Sequence, residues 1–429
     1  MIIAPFSREQ SNLLFFSDAP LNIADGPVRS GKNFIENVRL SKYLYNEPYS
    51  NPLSPFVFAG VSKDSVYRNS LRDLFKLLGE GNYSYSLSRG KGKVRCATGW
   101  REIYSFAFKD ADDFKVLRGD TIGGFLLTEG TLCHPSFFYE IVARKASIDD
   151  SCGFIDTNPD SPYHWLYQEY ITDEKLLKEK FVKRFQFNLD SNRSLTARAK
   201  EILKALYKPG SLLYQRMIEG KWVLAQGLIY DAYDESVNTC EPKDLPGTFD
   251  YYVIAGDFGT YNPCVFLLLG IKGNVVYVIN EYYYEGRREP KQKTPDEYKD
   301  DLIIFVNQNL PAQNLLRSIW IDPTATPLHV ALKKHSGFSI KLKAPEYVDN
   351  SVLDGIGTVS TMLYQKKIIV SKRCKNTLRE FVTYMWDAAA SIKSGTDVVK
   401  KENDHCLDAL RYFCQSNFGK ALRQLSGWI

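Results

Sequence analysis

At 429 residues, with 44% hydrophobic and 24% charged side chains, the chain is long enough for two or three domains and has the composition of a soluble globular protein. Its net charge of +5 is too mild to demand a polyanionic partner, and its longest apolar run, Cys264 to Gly270, is too short to span a bilayer. No basic-then-apolar leader opens the sequence, so an intracellular protein is expected; eight cysteines without a C-x-x-C pair and five histidines indicate neither a zinc site nor a disulfide framework.

The first telling element is the apolar run Leu21-Asn22-Ile23-Ala24, which leads through Gly26-Pro27-Val28-Arg29-Ser30-Gly31-Lys32-Asn33 into the helix-like Phe34-Ile35-Glu36-Asn37-Val38. Strand, glycine-bearing loop ending in lysine, then helix is the order of a nucleotide phosphate-binding loop. The glycines let backbone N–H groups turn toward the β-phosphate, Lys32 reaches the β/γ oxygens, and the helix presents its positive dipole end. Asn33 stands where a Ser or Thr hydroxyl ordinarily ligates Mg²⁺, so an amide oxygen or a water must serve instead.

From there to about Val223, short apolar runs at Pro55 to Val61, Glu102 to Phe108 and Gly124 to Thr128 alternate with helical segments such as Ser65 to Leu78. This predicts an α/β domain with a largely parallel sheet, over residues 1–175. The run from Gly124 ends in Glu129, a carboxylate placed to orient an attacking water; Thr128 replaces the acid that usually precedes it and helps hold Mg²⁺. Arg118, in Leu117-Arg118-Gly119-Asp120, suits either an arginine finger entering a neighbouring subunit or a plain surface arginine. Asp156-Thr157-Asn158-Pro159 follows the strand-like Gly153-Phe154-Ile155, where a polar side chain could sense the γ-phosphate, although Asn-Pro is also a turn. Leu176 to Lys208 is charged and helix-prone and is broken by Pro209-Gly210, which predicts a small helical subdomain over 176–229.

Tyr230 to Phe249 carries acids, two prolines and little periodicity, and reads as a linker over 230–249. A second domain, 250–429, opens with the strand Tyr251 to Gly256, continues through Cys264 to Ile271 and returns over Asn274 to Tyr284 as an antiparallel meander. Further strands are expected at Ser318 to Ile321, Ser339 to Lys343 and Lys367 to Val370, with a late helix at Asp404 to Phe413. Asp257 and Asp322 each follow an apolar strand, and two such carboxylates side by side could share divalent cations about 3.5–4 Å apart. On the late helix Asp404 and Asp408 are spaced i, i+4, and His405 and Asp408 i, i+3, so one turn can aim several ligands at one point. Singly, each acid also suits a helix cap or a turn; jointly they point to a two-metal phosphodiesterase centre. Basic residues gather in Arg89 to Arg95, Arg287 to Lys293 and Lys393 to Lys401; Arg287, Arg288, Lys291 and Lys293 lie in the same domain as the acids and suit either a hold on DNA over the metals or a plain solvated charge run.

The order of these parts, together with Gly220-Lys221-Trp222-Val223 before Gly227-Leu228-Ile229-Tyr230 and with Asp408-Ala409-Leu410-Arg411-Tyr412, resembles the large terminase subunit of tailed bacteriophages over nearly the whole chain. The resemblance implies a P-loop ATPase of the additional-strand, catalytic-glutamate class followed by a ribonuclease H-like nuclease. It implies that Gln10 contacts adenine, that Arg29 and Lys32 hold phosphates, and that Glu129 activates water while Arg118 acts in trans. Thr157 and Asn158 fall in its coupling motif, and Asp257, Asp322 and Asp404 in its nuclease metal site, with His405 and Asp408 as further ligands. ATP, Mg²⁺ or Mn²⁺, duplex DNA, a portal protein, a small terminase subunit and a homo-oligomeric ring are its implied cofactors and partners, in the host cytoplasm and docked on a procapsid. A helicase-like ATPase, or a portal-docking protein with degenerate sites, would share parts of this pattern.

Overall fold

The computed structural model describes residues 6–108, 110–287, 291–310, 315–334, 348–349 and 351–422; the expected strand Ser339 to Lys343 and the basic residue Arg288 lie outside them. The first sheet comprises β1 (Leu21–Asp25), β2 (Phe56–Gly60), β3 (Tyr83–Ser86), β4 (Lys91–Cys96), β5 (Gly99–Ala107), β6 (Gly124–Leu127), β7 (Cys152–Thr157) and β8 (Val182–Gln186), in the order β3-β4-β5-β2-β6-β7-β1-β8. From β5 to β8 all neighbours are parallel, and β3 and β4 extend the β5 edge antiparallel. β1, β2, β6 and β7 are buried along their whole length, which is why they read as apolar runs.

Two departures from the sequence reading have one cause. β8 falls in the stretch expected to be helical, and β4 has no counterpart among the expected strands. Both are half-exposed: β8 buries Val182 and Phe185 while carrying Lys183 and Arg184, and β4 buries Val94 and Cys96 between Lys91, Lys93 and Arg95. Charged residues beside the buried positions hide the strand signal in both, and in β8 the buried positions are three apart rather than two.

The second sheet comprises β9 (Thr239–Cys240), β10 (Tyr251–Asp257), β11 (Cys264–Lys272), β12 (Val275–Tyr284), β13 (Leu316–Ile321) and β14 (Ile368–Ser371), ordered β13-β10-β11-β12-β14-β9. β10, β11 and β12 form the expected antiparallel meander, flanked by β13 parallel to β10 and β14 parallel to β12. Alternate residues serve two cores. Val253, Ala255, Val265 and Leu267 face the helix His405–Cys414, whereas Tyr252, Ile254, Phe266 and Leu268 face Tyr298, Leu302 and Val306 of the helix Pro295–Asn309. At roughly 1.5–3 kcal/mol per fully buried Val, Leu, Ile or Phe, this double cover holds the strand tips in place.

Tyr230 to Phe249 is more than a tether: Tyr230 and Ala232 enter the second core, and β9 pairs with β14. A strand of two residues is too short to show periodicity. The two units also touch through Arg216 of the helix Leu212–Met217, which binds Asp160 at 2.9 Å, Asp397 and the Val223 carbonyl.

Candidate functional site

The phosphate loop turns tightly out of β1. Gly31 sits at φ 91°, ψ 13°, in the left-handed region that favours glycine, and a Cβ there would lie 2.8 Å from Gln10 Nε2 and displace that amide. Arg29 also has positive φ, and its carbonyl accepts from Asn192 Nδ2 at 2.7 Å, a brace with no local sequence signal. Lys32 opens the helix Lys32–Asn46 and is folded back on its own loop, donating to Gly26 O at 2.7 Å, Pro27 O at 3.0 Å and Asn158 Oδ1 at 3.1 Å. Ser30 Oγ is buried without a hydrogen-bond partner, a donor ready for a phosphate oxygen. Gln10, the residue implied at adenine, spends its amide on the Ser7 N–H and the Gly31 carbonyl, closing a capping box on the helix Arg8–Phe16.

Glu129 follows β6 with φ 59° and ψ 53°, a backbone region that costs a non-glycine residue roughly 1–2 kcal/mol. Burial, then the neighbouring Asp156 and Asp354, push its carboxyl up to about 7, with Arg68 opposing. Glu129 and Asn158 open onto a cavity of about 540 Å³ that is also lined by Tyr207, Arg216, Asp354 and Trp386. Thr128 is buried beside Glu129, its hydroxyl donating to Ala59 O at 3.3 Å. Thr157 Oγ1 accepts from the Thr131 N–H at 3.2 Å, linking the end of β7 to the turn after Glu129. Arg118 is exposed at the surface, its guanidinium 4.8 Å from the Phe114 ring.

In the second unit, β10 and β13 are parallel neighbours with Gly256 opposite Ile321, so Asp257 and Asp322 emerge side by side at the same sheet end. Asp404 precedes the helix His405–Cys414, which lies across β10 and β11. His405 Nδ1 is 2.8 Å from Asp257 Oδ2, and Tyr412 donates to Asp322 Oδ2 at 3.3 Å. Burial raises Asp257 to about 6, the His405 hydrogen bond opposes this, and Asp408 and Asp322 add to it; Asp404 is raised by burial and by Asp408. For His405, burial is the largest single influence and lowers the imidazole, but the bond to Asp257 together with the charges of Asp257, Asp404 and Glu380 lifts it above its ordinary value. Asp408 gives Oδ1 to Arg411, at 3.1 Å from Nε and 3.0 Å from Nη2. Among the described residues no three His, Cys, Asp or Glu groups already converge on a metal-sized point. The acids are nonetheless gathered at one end of the sheet, and their hard oxygen donors fit Mg²⁺ or Mn²⁺.

Asp404 begins its helix without using its side chain as a cap. Glu380, fully buried, does that work from the helix Lys375–Phe381: its Oε2 accepts the Cys406 N–H at 2.7 Å and the Leu407 N–H at 3.2 Å. Glu281 caps that second helix in turn, accepting from Asn376 N at 2.7 Å and Thr377 N at 2.9 Å. Nothing local in the sequence signals either role. Of the basic residues offered for DNA, Lys291 pairs with Glu297, Lys293 pairs with Asp301 and lies over the Tyr284 ring, and Arg287 stacks on Tyr261 at 4.2 Å.

No family model matches the sequence, and no curated protein matches it. Among solved structures, the large terminase from a thermophilic bacteriophage, in complex with ADP, is 32% identical with a TM-score of 0.83, over 96% of this chain and 99% of that one. The same phage protein in another crystal form is 30% identical with a TM-score of 0.84, again over 96% and 99%. In complex with ATP-gamma-S it is 32% identical with a TM-score of 0.81, over the same shares. A likeness that spans both chains almost end to end at this identity, in a chain that carries a phosphate loop and paired strand-tip acids, establishes that it belongs to the bacteriophage large terminase family.

Proposed function

We propose that this chain uses ATP hydrolysis in its first unit to drive viral double-stranded DNA into a procapsid, and cuts concatemeric DNA with its second unit. The observation that carries this is the pairing of two sets of chemical groups on one chain: a phosphate loop with a strand-end glutamate, and Asp257 and Asp322 in register beside Asp404. The ADP and ATP-gamma-S complexes of the thermophilic phage protein support an adenine nucleotide as the ligand of Gly26 to Asn33.

The chain's own residues then have distinct tasks. Lys32 exchanges its hold on Gly26 O, Pro27 O and Asn158 for phosphate oxygens, so nucleotide arrival releases Asn158. That release is the link from the site to the coupling segment. Glu129, once ionised, accepts a hydrogen bond from the attacking water and orients it; Arg118 of a neighbouring copy neutralises charge on the transferred phosphoryl group. In the nuclease site Asp257, Asp322 and Asp404 would hold two divalent cations, with His405 beside Asp257. Bound there, such cations supply an activated water and a stabilised leaving oxygen. Translocation must grip phosphates rather than bases, so DNA binding should weaken steeply with salt. A ring of copies on a portal protein, served by a small terminase subunit in the host cytoplasm, completes the proposal; no helix among the described residues is long and apolar enough to cross a membrane.

Two measurements test it. ATP turnover with DNA present should disappear in Lys32→Ala and Glu129→Ala, and Mn²⁺-dependent plasmid cleavage should disappear in Asp257→Ala and Asp322→Ala. Wild-type turnover in the first pair, or wild-type cutting in the second, overturns the corresponding half.

A further inference from the structure

The nucleotide site has a gap in its donor set. Thr128 occupies the strand-end position from which a carboxylate ordinarily helps hold the nucleotide's Mg²⁺, and its hydroxyl and N–H both point to Ala59 O, at 3.3 and 2.9 Å. Asn33, on the other side of the same site, lacks the usual hydroxyl.

The neighbouring strand carries the missing charge. β6 and β7 run parallel with Leu127 opposite Ile155, so the next step sets Thr128 beside Asp156; on its other side Asp156 stands opposite Ala24 of β1. Adjacent strands are about 4.8 Å apart, so the carboxylate is shifted by one strand toward the phosphate loop. Asp156 is 6% exposed, and its Oδ1 has no hydrogen-bond partner. Lys32 Nζ lies 3.6 Å from that oxygen, too far for a hydrogen bond, and its three donors are already given to Gly26 O, Pro27 O and Asn158 Oδ1. Asp156 is therefore ion-paired with Lys32 only at 3.6 Å, with the Asn33 side chain beside its carboxylate, while the short contacts of that lysine go to other oxygens.

Its other neighbours add negative charge. Glu36, one turn into the helix from Lys32 and buried, is raised by burial and then by Asp156, and Glu129 is raised by Asp156 as well. Asp156 and Glu36, both buried, share the single charge of Lys32, and Glu129 stands near Asp156, so the site holds carboxylate charge that a further cation would meet. Buried acids left this way are costly unless a ligand pairs them. The available donors, the Asp156 carboxylate with the Asn33 amide oxygen and the Thr128 hydroxyl nearby, are all hard oxygens. Mg²⁺ keeps most of its waters and needs only one or two protein carboxylates beside the phosphates.

We propose that Asp156 supplies the carboxylate of the nucleotide-metal site, in place of the residue at position 128. This rests on the ATP-hydrolysis reading above. Asp156 is then more than part of the coupling segment: the same β7 tip holds the metal through Asp156 and meets Lys32 through Asn158, so both sides of the nucleotide are read by one strand.

The test is nucleotide affinity rather than turnover. The full-length chain is titrated with a fluorescent ATP analogue in Mg²⁺ and in EDTA, for the wild type, Asp156→Asn, Asp156→Ser and Asp156→Asn combined with Thr128→Asp. Wild-type binding should tighten in Mg²⁺. Both single variants should lose at least about tenfold of that tightening, as removal of groups that hold a metal does. In EDTA they should bind as tightly as wild type or tighter, because a negative charge beside the phosphates is gone. The double variant, which returns a carboxylate to position 128, should regain Mg²⁺ dependence. Plasmid cleavage by the second unit and binding in EDTA report that each variant is folded. Full Mg²⁺ tightening in Asp156→Asn and Asp156→Ser overturns the assignment while leaving ATP binding intact, as does an equal loss with and without Mg²⁺. Absence of nucleotide binding by the wild type in either buffer overturns the ATPase reading, and this assignment with it.

Discussion

Replacing Glu129 by glutamine should make the protein more stable at alkaline pH while ending ATP turnover. Burial, Asp156 and Asp354 push the Glu129 carboxyl from its ordinary 4.5 to about 7. The folded chain therefore holds this proton more tightly than the unfolded chain. The group's contribution to stability is fully present below pH 4.5 and is lost as pH rises through about 7. At 1.36 kcal/mol per tenfold change, keeping Glu129 ionised in the folded state at pH 8 costs roughly 3 kcal/mol. Glutamine has nearly the same shape and no charge, so it avoids that cost. For a unit of 150–250 residues, where each kcal/mol moves the midpoint by about 2–4 °C, the first melting transition should rise by roughly 6–12 °C at pH 8. At pH 4.5 the two proteins should melt together. Scanning calorimetry at both pH values is the assay, with ATP turnover measured alongside. Equal shifts at the two pH values, or none at pH 8, would refute the reasoning, since either result means that ionisation of Glu129 is not what costs stability.

Three more outcomes follow from the same geometry. Nuclease activity should climb with pH through about 6, where the raised Asp257 carboxyl ionises, and level off above it; a flat plasmid-cleavage profile between pH 5 and 8 contradicts this. Glu380→Leu should weaken the apparent Mn²⁺ affinity of cleavage by about 10–100-fold, because the start of the His405–Cys414 helix loses its acceptor, while ATP turnover stays unchanged and Glu380→Gln, which keeps an acceptor, retains most activity. Arg216→Met leaves Asp160 and Asp397 without their shared cation and should lower stability by roughly 3–5 kcal/mol in a denaturant titration; an unchanged midpoint would show that the cluster contributes nothing.

The parts of the fold legible in the sequence are those whose signal is local. β1, β2 and β6 are covered on both faces and so appear as unbroken apolar runs. Asp257 and Asp322 are visible because each ends such a run, and the phosphate loop because its glycines, lysine and following helix are contiguous. β4 and β8 are obscured by the charged residues beside their buried positions, and β9 by its length.

Gly26 to Asn33, Glu129 and the acid-tipped strands were therefore determined by the sequence alone, since backbone freedom, charge and hydrophobic runs are properties of neighbouring residues. What the tertiary structure decided is who faces whom. Parallel register sets Asp257 beside Asp322 and Asp156 beside Thr128. Packing hands the capping of the His405–Cys414 helix to Glu380 and folds Lys32 onto Asn158, 126 positions away. These pairings arise from burying side chains that are distant along the chain in one low-dielectric interior, where an unpaired polar group is costly, and no local pattern of residues encodes them.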